Sequence, residues 1–126
     1  MDSAFTIMVP GAFDTFLSGT GVVQGDPWSS DPEQESDAAG MRAAYVSRKV
    51  IPRGRGYSMQ MALPTIGAVV VLAEYAVACL NANQYGDMDY SEMAAARKLL
   101  ERCSEATGGR VSYDGWHVRL DGEVVK

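Results

Sequence analysis

The chain has 126 residues, 47% of them hydrophobic and 21% charged. Those values are near globular averages and exclude a disordered, collagen-like or low-complexity chain. One domain over residues 1–126 is expected, with enough length to bury a modest core. The net charge of −5 is concentrated in one place. Residues 24–40 hold Asp26, Asp31, Glu33, Glu35 and Asp37 and no Lys or Arg, and the eleven remaining acids balance eleven Lys and Arg. That segregation argues against a chain-wide acidic mimic of nucleic acid.

Residues 4–9 alternate as a strand with Phe5, Ile7 and Val9 on one face. Pro10 suits the first turn of a short helix carrying Phe13, Phe16 and Leu17, and Gly19 ends it. Residues 20–24 read as a further short strand. The Gly19–Gly25 run has one residue too many for a dinucleotide-binding glycine motif and follows a helix instead of a strand, so it reads as a connection. The acidic stretch 24–40, with its prolines and serines, reads as a loop. Trp28 is its one large aromatic.

Residues 45–51 read as a strand, 52–56 as a five-residue turn, and 57–63 as a second strand with Tyr57, Met59, Met61 and Leu63 on one face. The pair forms a basic hairpin within residues 42–57. Residues 64–80 are apolar on almost every side and predict a central helix. At 17 residues, with Glu74 inside, the segment is short for a membrane span. Residues 90–107 predict an amphipathic helix. Met93, Ala96, Leu100 and Cys103 share its apolar face, and Arg97, Lys98, Glu101 and Glu105 share its polar one. Asp114-Gly115 and Asp121-Gly122 predict two tight hairpins joining strands 111–113, 116–120 and 123–125. Trp116, Val118 and Leu120 are expected on one face of the middle strand, and His117 and Arg119 on the other. The fold class is α+β, a mostly antiparallel sheet with two main helices packed on one face.

No catalytic constellation is legible, and no cofactor motif. His117 is the single histidine, and no Ser or Cys lies in a nucleophile context. Cys79 and Cys103 fall on apolar helical stretches and read as small buried hydrophobes. Their reduced state and the lack of a signal sequence point to the cytoplasm.

Three binding readings remain. The acidic segment, with Trp28, Asp31, Glu33, Glu35 and Asp37, is a candidate surface for a protein partner. The basic hairpin, with Arg48, Lys49, Arg53, Arg55 and Tyr57, is a candidate surface for nucleic acid. Residues 81–92 resemble a calcium-binding helix–loop–helix in spacing: Asn81, Asn83, Asp89 and Glu92 occupy ligand positions and Gly86 the turn. Asn at the first position and Tyr85 at the fifth depart from that pattern.

The opening run Phe5-Thr6-Ile7-Met8-Val9-Pro10-Gly11-Ala12-Phe13 and the helical run Ala95-Ala96-Arg97-Lys98-Leu99-Leu100 resemble small uncharacterised proteins of actinobacterial phages and mobile elements. The resemblance implies no activity and no site residues, only a small accessory protein that acts by binding; small size, segregated charge and the absence of a catalytic constellation point to an accessory or anti-defence factor of a mobile element. A non-enzymatic interaction protein is therefore the expected function, acting away from membranes.

Overall fold

The structure, a computed structural model, describes residues 4–19, 32–82 and 90–125. Chain order gives β1 (Phe5–Pro10), a 3-10 turn (Gly11–Phe13), α1 (Asp14–Gly19) and α2 (Pro32–Val46). The hairpin β2 (Lys49–Arg53) and β3 (Gly56–Leu63) precedes α3 (Ile66–Ala82) and α4 (Tyr90–Ala106). Three short strands follow: β4 (Val111–Tyr113), β5 (Val118–Leu120) and β6 (Glu123–Val124).

The α+β class is as expected, but the strands form two separate antiparallel sheets, ordered β1-β3-β2 and β4-β5-β6. In the first, Ile7 lies opposite Met61, and Val9 opposite Met59. Opposed residues of an antiparallel pair share a face. Ile7, Val9, Met59, Met61 and Leu63 therefore form one continuous apolar face, fully buried under the helices. Helices α3 and α4 touch strands of both sheets, and a single hydrophobic cluster runs through all the layers.

Helix α3 is apolar around most of its circumference because it lies at the centre. Ala68, Val69, Leu72, Ala73, Ala76 and Cys79 are fully buried. The Thr65 hydroxyl accepts the Ala68 N–H at 3.0 Å and caps the helix start. Among the described residues no helix is long and apolar enough to cross a membrane. Helix α4 presents Ala95, Ala96, Leu99, Leu100 and Cys103 inward and exposes Arg97, Lys98, Glu101 and Glu105. Its end is closed by the Thr107 hydroxyl, which donates to the Cys103 carbonyl, and by Gly109, which donates to the Ser104 carbonyl at 2.9 Å from a left-handed φ of 88°.

Three local expectations are corrected. Residues 32–46 are helical, so neither a loop over 24–40 nor a strand beginning at Tyr45 is correct for the described residues; residues 20–31 lie outside them. Pro32 opens α2 at the position where its missing N–H costs nothing. The helix is held by packing: Met41 and Ala44 are buried, Gly40 sits against Pro64, and the Asp37 carboxylate rests over Gly67 in the first turn of α3. Secondly, the basic hairpin turns in two residues, Gly54-Arg55, with Arg53 paired to Gly56. Of these two residues only Gly54 has positive φ, at 55°, as a type II′ turn requires. Finally, β5 starts at Val118, so a four-residue loop, 114–117, separates it from β4. The Asp121-Gly122 turn is as expected, with both residues at positive φ, 53° and 86°, as in a type I′ turn.

Candidate interaction surface

Two polar centres stand out. The first is a part-buried node around Asp14, at the start of α1. Its carboxylate accepts the Tyr45 hydroxyl at 2.5 Å and the Tyr57 hydroxyl at 2.7 Å, and Arg48 Nη2 lies 3.6 Å away. Arg48 stacks over the Tyr45 ring at 4.2 Å and donates to the Tyr45 carbonyl at 3.0 Å. Burial, reinforced by the hydrogen bond to Asp14, pushes the Tyr45 hydroxyl up to about 12. Its own hydrogen bond to the other Asp14 oxygen, with burial, raises Tyr57. Both hydroxyls stay protonated donors near neutral pH, so neither is a base or nucleophile there. The node ties α1, the end of α2 and the β2–β3 hairpin together, and it reads as structural.

That node divides the expected nucleic-acid set. Arg48 and Tyr57 are engaged by Asp14, whereas Lys49, Arg53 and Arg55 are exposed along the hairpin. The acidic set is also divided. Asp37 accepts the Thr65 hydroxyl at 3.2 Å and lies against the start of α3, where a helix dipole favours negative charge. Its carboxylate is therefore engaged within the fold. Trp28 and Asp31 lie outside the described residues, as do the side chains of Glu33 and Glu35.

The second centre is open. Trp116 is 81% exposed, more than any other large hydrophobic residue among those described. It stands in the 114–117 loop instead of on the apolar face of β5. The reason is Asp114, whose Oδ1 accepts the backbone N–H of both Trp116 and His117 at 2.8 Å. The other oxygen, Oδ2, accepts Arg119 Nε at 2.7 Å, and Tyr113 donates to the Gly115 carbonyl at 2.9 Å. The loop is thus fixed by side chains while the indole projects outward. The clue in the sequence was the Asp opening the loop, a residue that bonds the backbone two positions on and reshapes a turn.

The His117 N–H, then Arg119 and the Trp116 N–H, hold the Asp114 carboxyl far below the usual carboxylate range. A depressed acid contributes stability that is complete above its unfolded value, about 4, and declines as pH falls towards the folded one. Native amide signals follow the folded carboxyl, so those of Trp116 and His117 are expected, in an NMR titration, to stay constant from neutral pH through about pH 4 and to move only well below it. Asp114→Asn is expected to loosen the same amides at every pH.

Two grooves flank this loop. One, of about 230 Å³, lies between Trp116, His117, Val118 and Val125 on one side and Glu74, Val77, Ala78 and Asn81 of α3 on the other. Burial raises the Glu74 carboxyl there. The other, of about 610 Å³, has Leu80, Met93, Leu100 and Tyr113 as its apolar lining and Asn81, Arg97, Glu101, Ser104 and Ser112 as its polar one.

Neither thiol offers a nucleophile. Burial pushes Cys79 up to about 11 and Cys103 to about 12, and both are free and buried. In the expected calcium set, Asn81 lies in the last turn of α3 and Glu92 in the first turn of α4, while Asn83 and Asp89 lie outside the described residues. Among the described residues no group of three or more His, Cys, Asp or Glu side chains is placed to hold a metal ion. No family model matches the chain, and no curated protein or solved structure matches it.

Proposed function

We propose that the protein is a non-enzymatic interaction module that binds a protein partner through the 113–118 hairpin end. The observation carrying this reading is Trp116, 81% exposed on a loop that Asp114 fixes from within. A large, rigid aromatic held outward loses little freedom on docking, and tryptophan is prominent among residues that dominate binding energy. The flanking grooves supply apolar area and mixed charge beside it. An accessory role of the anti-defence kind, within a cell, is part of this proposal; the small size and segregated charge of the chain support it.

Nucleic-acid binding through the basic hairpin is the weaker reading. With Arg48 and Tyr57 held by Asp14, three cations remain exposed on β2 and its turn. Phosphate-driven affinity scales with the number of contacts, and three give little.

A photocrosslinking amino acid at position 116, expressed in the native host, tests the proposal. A discrete protein adduct is expected there and not from the same probe at Val46, which is 63% exposed at the end of α2. An adduct from position 46 with none from position 116 would overturn the assignment.

A further inference from the structure

The unpaired edges of the two sheets differ in how they are protected. A free edge strand offers backbone N–H and C=O groups to any passing strand, and proteins blunt such edges with charge, proline or side-chain caps. On β1 the outward carbonyl of Met8 accepts Arg102 Nη1 at 2.6 Å, and Pro10, two positions on, has no N–H to offer. On β2 the Arg53–Gly56 pair flanks a two-residue turn, so alternation directs Val50 and Pro52 outward; Pro52 lacks the N–H, and Lys49 and Arg53 add charge. Strand β6 is two residues long.

Strand β4 is different. Asp121 donates to the Arg110 carbonyl at 2.8 Å, and Asp114 to the His117 carbonyl at 3.3 Å. Residues 110, 112 and 114 thus face β5, and Val111 and Tyr113 turn their backbone groups to the free edge. The Thr107 hydroxyl takes the Val111 N–H at 3.0 Å. The Tyr113 N–H and C=O have no partner among the described residues. Ser112 and Tyr113 line the 610 Å³ groove, opposite the α4 face carrying Met93, Arg97, Leu100, Glu101 and Ser104.

We infer that this groove takes an extended peptide, which pairs with β4 as an added strand and places an acidic side chain against Arg97. The inference rests on the proposed interaction function and names its ligand class. A sheet edge beside a helix lets main-chain bonds supply affinity and alternate side chains supply specificity. Arg97 is exposed, with no ion pair among the described residues. Glu101 stands one turn further along the same rim, so a continuous acidic run is disfavoured. One helical turn advances about 5.4 Å, close to the roughly 6.8 Å between alternate strand residues. The matching ligand therefore carries an acid facing Arg97 and a base two residues away facing Glu101. The aliphatic stem of the base lies over the apolar lining around Met93 and Leu100.

The test uses the full chain and an acetylated, amidated pentapeptide, Thr-Asp-Val-Lys-Thr, at millimolar concentration. NMR shift changes are expected at Arg97, Leu100, Glu101, Ser104 and residues 111–113, with Tyr113 amide exchange slowed by about tenfold or more. A fully N-methylated peptide is expected not to bind. Tyr113→Pro removes the outward N–H and is expected to abolish binding, while Tyr113→Ala keeps that N–H and retains it. The Arg97→Glu plus Glu101→Arg variant is expected to prefer the peptide with Asp and Lys exchanged. Equal binding of the N-methylated peptide, or no shift in the groove, overturns the inference. Shifts confined to Trp116, Val118 and Glu74 also overturn it while leaving the proposed function standing; a failure of crosslinking at position 116 removes that function separately.

Discussion

Gly11→Ala is expected to lower the unfolding free energy by about 3 kcal/mol in urea denaturation. A Cβ at Gly11 would meet the Tyr57 backbone carbonyl, with the Tyr57 ring at 3.0 Å. No rotamer relieves a clash with backbone, so the 3-10 turn must move away from β3. That movement carries Asp14, three residues on, away from Tyr57. The shift disturbs the tie between α1 and the basic hairpin, so part of the loss is expected to be shared with changes at Asp14. Gly11 is not at positive φ, so its loss is steric; Gly122→Ala is the converse case, with φ at 86° and nothing within 4 Å of an added Cβ, and is expected to cost only about 1 kcal/mol.

Asp14→Ala is the second large effect, also expected near 3 kcal/mol. It removes the acceptor of two tyrosine hydroxyls and leaves Arg48, half-hidden against Tyr45, without its carboxylate. Arg48 Nε already lacks a hydrogen-bond partner among the described residues, so the site has no spare acceptor to offer. Tyr57→Phe removes one of those bonds and is expected to cost about 1 kcal/mol. A double-mutant cycle between Asp14→Ala and Tyr57→Phe is expected to show coupling of about 1 kcal/mol, whereas additive losses would contradict a shared node.

These residues also show where sequence reasoning ends. Tyr45 and Asp14 are 31 positions apart, and Tyr57 and Asp14 are 43 apart. No local pattern marks such a convergence. The strands β1 and β3, the central helix and the amphipathic helix were legible because their apolar periodicity reports local geometry. The Asp121-Gly122 turn was legible because few residues accept positive φ. Helix α2 was not. Its opening carries acids, a proline and a serine that together resemble a loop, and its stability comes from packing Asp37, Gly40, Met41 and Ala44 near α3, a tertiary effect that overrides local composition.

The placement of Trp116 was misread for a related reason. Trp116 alternates with Val118 and Leu120, so periodicity assigned it to the buried face of a strand. Asp114 captures two backbone N–H groups and delays the strand to Val118. One carboxylate therefore converts a core position into an exposed one. The acidic segment, which dominated the charge pattern, contributes at Asp37 to the fold itself.

The most direct test compares wild-type protein and Trp116→Ala for affinity towards the partner crosslinked at position 116, alongside urea unfolding of both. A binding anchor predicts a loss of about 2 kcal/mol in affinity, roughly thirtyfold, with unfolding free energy changed by no more than about 0.5 kcal/mol. Unchanged affinity, or an affinity loss matched by an equal loss of stability, would contradict the assignment of this hairpin as the interaction surface.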